Sequence, residues 1–291
     1  VPEGDGNPRH LPTTHGDQSV ALLPQGQVPR VRTLLGGSEV IGHVALSRLE
    51  PAGAAPQEDA APPATAQLPI AQLREDNTEA RRDRTKARAF PIGEAGRPRR
   101  DLAAGAEARV AQLTALGDWL DVARAARWRP TLIATFCNVY AADYCYLARA
   151  YLPRVWWTSS ALVRLGRGEA VPVVYAQTVV ELRADDLLAW LVDMGPRFGW
   201  RRVFDAGALQ AAANAGGLGL ICADREAAGR AGHITVVVPE TPAHRAERDA
   251  DGNVTQPLQS QAGASNHRYG SAGPSWWSGS QFRDRGFFVH D

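Results

Sequence analysis

Near residue 215 the chain changes its period. Between Asp101 and Asn214 apolar side chains recur about every 3.6 residues, the spacing that lines one face of a helix. From Leu218 onward they fall in short, nearly continuous apolar runs of strand length. Helices first and strands second predicts an α+β fold, with helices packed on an antiparallel β-sheet.

The helical part reads in four pieces. Asp101 is a candidate N-cap for a helix in which Leu102, Ala106, Val110, Leu113, Leu116 and Leu120 share a face, with Pro130 as the stop. A second helix opens at Cys137, aligns Tyr140, Ala141, Tyr144 and Ala148 with it, and ends at Pro153. A third fits Asp185 to Met194 before Gly195-Pro196, and a short fourth runs from Asp205 to Asn214 into Gly216-Gly217. Strands are expected at 218–223, 233–239, 254–262 and 286–290.

Ahead of these elements the composition is different. Residues 1–50 hold short apolar pieces broken by Gly and Pro, as expected of a small β-rich element. Residues 51–100 are Ala/Pro-rich and then Arg-rich, as in Arg81-Arg82-Asp83-Arg84. Such a stretch buries too little apolar surface to offset its own ordering entropy. It is expected to be a linker, a pro-segment, or a segment ordered only by packing on the next domain. Residues 101–291 then form the main domain.

A formal charge of +1, from 32 basic and 31 acidic residues, supplies no field to recruit nucleic acid or an anionic membrane. No apolar run is long enough to span a membrane. There is no CxxC pair and no HExxH, and seven scattered histidines give no metal-ligand spacing, so neither metal nor cofactor is expected. Asp249-Ala250-Asp251-Gly252 lacks the remaining ligands of a calcium loop. Cys137 and Cys145, eight residues apart on one helix, would stand about 12 Å apart along its axis, beyond disulfide reach. Cys222 sits in an apolar strand run, where cysteine behaves as a small hydrophobe.

Chemistry is expected at Cys137. Unsatisfied amides at a helix amino terminus favour a thiolate, and a neighbouring imidazolium favours it further. His233 opens the most apolar strand and is the expected base. If strand 254–262 pairs with the histidine strand, a polar side chain there can orient the imidazole. Gln261 is the first choice, with Gln259, Asn266 and Glu240 as alternatives; Gln259 and Gln261 share a face that Ser260 does not. Asn138 and Gly232 flank the two reactive residues where substrate would approach closely. The pairs Trp156-Trp157 and Trp276-Trp277 offer aromatic faces for sugars or peptide side chains, with at least one ring of each pair exposed.

Three segments carry a resemblance to known enzymes. They are Phe136-Cys137-Asn138-Val139-Tyr140, then Gly217-Leu218-Gly219-Leu220-Ile221, then Gly232-His233-Ile234-Thr235-Val236-Val237. In this order they resemble the papain-like cell-wall cysteine hydrolases of NlpC and CHAP type, over roughly residues 130–266. The resemblance implies a papain-like or NlpC-like fold with a Pro/Ala- and Arg-rich N-terminal extension. It implies Cys137 as nucleophile, His233 as base and Gln261 as orienter. It also implies cleavage of amide bonds in peptidoglycan or a peptide, as endopeptidase or amidase, without a cofactor. Where the NlpC type has Asp-Cys-Ser-Gly this chain has Phe-Cys-Asn-Val, and the insertion from Leu152 to Trp200 is long, so the expected place is a divergent branch. Transglutaminase-like acyl transfer and a non-catalytic binding module are the alternatives. No leader is visible in a chain that opens at Val1. A wall substrate would place the protein outside the cell, in the periplasm, or among delivered effectors.

Overall fold

Antiparallel strands build the centre of this protein, and the run Leu218–Ala223 within them is buried along its whole length. The computed structural model describes the backbone of residues 30–35 and 38–43, and residues 68–227 and 231–291. The chain divides into two compact units, 1–61 and 62–291. In the first, β1 (Arg30–Leu35) and β2 (Ser38–His43) form an antiparallel hairpin, pairing from Arg30 against His43 to Leu35 against Ser38. The rest of the expected N-terminal element and the Ala/Pro-rich run 51–63 lie outside the described residues.

The second unit begins with an irregular strap, residues 68–100, and continues through α1 (Ala106–Leu120) and α2 (Cys137–Leu147). Next come β3 (Val155–Trp157), α3 (Ser159–Gly166), β4 (Val179–Glu181), α4 (Ala184–Asp193), β5 (Arg201–Val203) and α5 (Ala206–Asn214). The strand-rich end holds β6 (Leu218–Arg225), β7 (His233–Val237), β8 (Glu247–Arg248), β9 (Val254–Gln256), β10 (Gln259–Ser260) and β11 (Phe282–His290). The described residues thus hold five α-helices and antiparallel sheets. No helix among them is long and apolar enough to cross a membrane.

The main sheet has the order β10-β7-β6-β11-β5, and every pairing is antiparallel. Alternation along β6 and β7 sends Leu220, Cys222, Ile234 and Val236 to one face and Ile221, Ala223, Thr235 and Val237 to the other. The first face receives α2 and α4. There the Cys222 thiol donates to the Ala184 carbonyl at 3.3 Å, and Tyr140 and Ser260 hydroxyls meet at 2.6 Å. The second face receives α5 through Leu209 and Ala213, together with Trp276, Trp277 and Val289. Each fully buried aliphatic side chain in these layers contributes about 1.5–3 kcal/mol.

Several boundaries differ from expectation for local reasons. Asp101 caps only a turn, accepting from the Ala103 amide at 2.9 Å, and α1 starts five residues later at Ala106. That helix ends where Asp121 adopts a left-handed conformation (φ 46°), well before Pro130. The expected strand 254–262 is broken at Pro257, which cannot donate to a ladder. Its first half, β9, pairs with β8, and its second, β10, with β7. In the insertion 152–200, Thr158 caps α3 by accepting from the Ala161 amide, and β3 pairs with β4.

The strap is fastened chiefly by arginines. Arg100, wholly buried, donates from Nε to the Ala148 carbonyl at 2.8 Å and from a terminal nitrogen to the Gly216 carbonyl at 2.6 Å. Arg82 forks onto Glu94 at 2.8 and 3.1 Å and lies 3.8 Å over the Trp119 ring. Arg88 donates to the Arg127 carbonyl at 2.7 Å and stacks 3.5 Å over Phe136, the residue before Cys137. At the far end Trp157 donates to the Pro69 carbonyl at 2.9 Å. Residues 68–100 therefore pack on the body that follows, and the guanidinium groups satisfy carbonyls that would otherwise be orphaned.

Candidate active site

The first turn of α2 has no side-chain cap. Phe136 occupies the N-cap position with φ −127° and ψ 36° and offers no oxygen, so the amides of the turn are free to face an anion. Cys137 is the first helical residue, and its sulfur lies where the Asn138 and Ile234 amides and the His233 side chain converge on it. Cys137 as a whole is 4% exposed. Burial alone would raise its pKa, but hydrogen bonding and charge from His233, together with the two backbone amides, outweigh burial and hold it below the usual thiol range. Burial similarly pulls His233 down, and the bond to Cys137, its charge and the bond to Gln261 outweigh that and raise the imidazole above its ordinary value. Both shifts favour a thiolate beside an imidazolium. Cys145 and Cys222 are pushed the other way, above the ordinary thiol value, by burial.

His233 Nε2 is 2.8 Å from Gln261 Oε1. The amide orientation follows from its other end, where Gln261 Nε2 donates to the Ser265 carbonyl at 3.4 Å, so the oxygen must face the ring and the ring must donate from Nε2. Nδ1 is then the nitrogen left for the thiol. The ladder register places Gln259 against Val237 and Ser260 against Val236, which carries Gln261 on opposite Thr235 rather than His233. The longer glutamine side chain spans that offset diagonally along the shared face.

The alternatives to Gln261 have other partners. Gln259, fully buried, accepts from Thr235 Oγ1 at 2.9 Å and from Trp276 Nε1 at 2.8 Å. Asn266 donates to the Val122 and Trp128 carbonyls, both at 3.0 Å. Glu240 takes a two-pronged bond from Arg248 at 2.7 and 2.9 Å.

Corrections fall on the expected substrate contacts. Trp156 and Trp157 are 7% and 4% exposed. Trp156 is packed edge-on against Trp190 at 5.5 Å, and neither tryptophan lines the groove over Cys137. Their strand, β3, is short and buried along its whole length, so both neighbours point into core. Trp276 and Trp277 are likewise buried, contrary to the expectation that one ring of each pair is exposed. Gly232 does not line the groove either. A Cβ there would lie 2.1 Å from the Ala223 carbonyl oxygen, and its amide donates to Asp185, so it is a packing glycine that lets β7 approach β6 and α4. Asn138 does line the groove, yet its side-chain amide is committed to the Leu182 carbonyl at 2.8 Å.

One residue at the site was missed as a partner of the histidine. The Trp276 ring stands edge-on to His233, centroids 4.7 Å apart at 72°, and its Nε1 is fixed by Gln259. An aromatic wall there keeps water from the imidazole and its bond to Gln261. A separation of 43 positions between Trp276 and His233 in sequence left no local signal for that contact.

A groove of about 1070 Å³ opens over Cys137. The turn 131–134 forms one wall, closed by the Thr131 amide donating to the Ala134 carbonyl at 2.9 Å and the Ala134 amide to Thr131 Oγ1 at 3.0 Å. At its tip Leu132 and Ile133 are essentially fully exposed. Opposite stand Arg183, Ala184, Arg225 and Ala231, and residues 68–100 do not enter the groove. A nucleophilic thiolate with an oriented acid-base partner, facing an open groove, can perform acyl transfer. Compared with known proteins, the chain matches no family model, no curated protein and no solved structure.

Proposed function

We propose that this chain is a cysteine hydrolase of papain-like fold that cleaves amide bonds, with peptidoglycan as its substrate. The observation that carries the reading is the placement of Cys137 beside His233, whose ring bonds Gln261, with Cys137 itself lining an open groove. The thiolate of Cys137 attacks the amide carbonyl, and the developing oxyanion lies at the amino end of α2, where the Cys137 amide has no intrahelical acceptor. The carbon–nitrogen bond breaks as His233 gives its proton to the leaving amine. Water, deprotonated by His233, then attacks the thioester, releases the carboxylic acid and restores the thiolate–imidazolium pair. Gln261 keeps the ring from rotating away, and Trp276 shields it. The substrate class follows from the resemblance to the NlpC and CHAP types, and the exposed aliphatic wall at Leu132 and Ile133 suits a peptide lying across the thiol.

The test is incubation of the full chain, and of a Cys137→Ala variant, with purified peptidoglycan, scoring newly released amino groups. Release by the native protein alone supports the reading. Incorporation of an added amine instead of net hydrolysis would favour acyl transfer, and no covalent acyl-enzyme with any peptide or wall fragment would refute cysteine catalysis.

A further inference from the structure

Arg225 stands out among the groove residues because no carboxylate pairs with it among the described residues. It lies on β6 two residues past Ala223, the cross-strand partner of His233, and so shares a face of the hairpin with the histidine. Such diagonal neighbours are about 7–8 Å apart. Its Nε donates to the Ala231 carbonyl at 3.3 Å, and its guanidinium carbon lies 5.2 Å from the Phe282 ring centre, two contacts that hold the group in place. No Asp or Glu lines the groove. Of the acids that flank it in sequence, Asp224 pairs with Arg283 at 2.5 Å, and Glu226 is exposed, lines no part of the groove and acts by charge on Arg283; Asp185 bonds the Gly232 amide and Arg183. The neighbouring wall residues Ala184, Ala231 and Ala264 are small and leave room above the guanidinium.

A half-buried, oriented guanidinium whose terminal nitrogens are unpaired among the described residues is suited to a carboxylate, which it can grip with two parallel bonds. Building on the hydrolase reading, we propose that Arg225 is a specificity-determining residue that selects substrates carrying a carboxylate beside the bond attacked. The class is an acidic peptide, the carboxylate belonging to a side chain or a free terminus within one residue of the scissile amide. Neutral peptides would enter the groove with lower affinity.

The experiment uses two reagents that alkylate the same sulfur and differ in charge, iodoacetate and iodoacetamide. Rates at Cys137 are read by mass spectrometry at pH 6 in low salt, on the full chain and on Arg225→Gln and Arg225→Lys. Effects on the thiol itself act on both reagents and cancel in the rate ratio. The ratio of iodoacetate to iodoacetamide should fall roughly threefold to sevenfold in Arg225→Gln, the attraction of unit charges about 7 Å apart at dielectric constants of about 40 to 80. Arg225→Lys should retain most of it, and added salt of about 0.5 M should compress the native ratio towards that of the glutamine variant. An unchanged ratio in Arg225→Gln, with Cys137 still the selectively alkylated thiol, overturns the assignment of Arg225 and leaves the hydrolase reading intact. Iodoacetamide labelling of Cys137 no faster than that of Cys145 and Cys222 overturns both.

Discussion

Replacing Gln261 by alanine removes the acceptor of the His233 ring without touching the thiol. The bond is 2.8 Å long and 2% of Gln261 is exposed, so the imidazolium would lose a well-shielded partner. A hydrogen bond to a charged group contributes about 1.5–3 kcal/mol, and each 1.4 kcal/mol is about tenfold in a population. Water entering the vacated space recovers part of this, which sets the expectation near the lower end, roughly tenfold. The sign follows from which protonation state the acceptor favours. Gln261 stabilises imidazolium, so its loss lowers the basicity of His233, weakens the pairing with thiolate and moves the acid limb of Cys137 reactivity to higher pH. Alkylation by iodoacetamide, followed from pH 5 to 10, should therefore slow by roughly tenfold near pH 6 and converge with the native rate near pH 10, where thiolate forms unaided. Superimposable profiles from a variant whose unfolding midpoint is preserved would refute the orienting role of Gln261.

Two further outcomes are expected. Asp143→Ala strands the buried Arg127 guanidinium, now bonded at 2.6 and 3.3 Å, and removes the acceptor of Trp128 Nε1 at 3.0 Å; urea unfolding should show a loss of about 3–5 kcal/mol. A loss below about 1 kcal/mol would mean that this buried ion pair does not anchor the fold. The double change Leu132→Ser and Ile133→Ser alters only exposed groups, so stability should stay within about 0.5 kcal/mol. If the wall holds an aliphatic peptide side chain, KM for a peptide substrate should rise roughly tenfold with kcat little changed, as expected when about 1.5 kcal/mol of apolar contact is lost; an unaltered KM would remove that wall from substrate binding.

Local sequence carried the elements whose signal is local. Asp205 and the apolar residues behind it specify α5, which begins at Ala206 with the Asp205 carboxylate accepting from the Ala208 amide at 2.7 Å. The nearly continuous apolar runs at 218–223 and 233–237 are long enough for strands and too short for helices, and they pair as a hairpin. Alternation alone placed Gln259 and Gln261 on one face and Ser260 on the other. Composition left residues 51–100 open between a linker, a pro-segment and a segment ordered by packing on the next domain; the guanidinium groups of Arg82, Arg88 and Arg100, which reach a glutamate and backbone carbonyls, fit the last of these over 68–100.

What the sequence by itself determined is which residues could act: a cysteine at a helix start, a histidine at a strand start, and a small set of polar side chains able to orient it. Which of that set meets the histidine was decided by tertiary structure. Pro257 breaks the strand and resets its pairing, Gln259 is drawn to Thr235 and Trp276, and Gln261 alone remains within reach of Nε2. The tryptophans make the same point. Adjacent rings look alike in sequence whether they face a groove or a core, and their burial depends on residues such as Trp190 and His233, distant in the chain, that pack against them. Periodicity is a property of neighbours along the chain, but register and burial arise from contacts between segments that meet only when the sheet and its helices close.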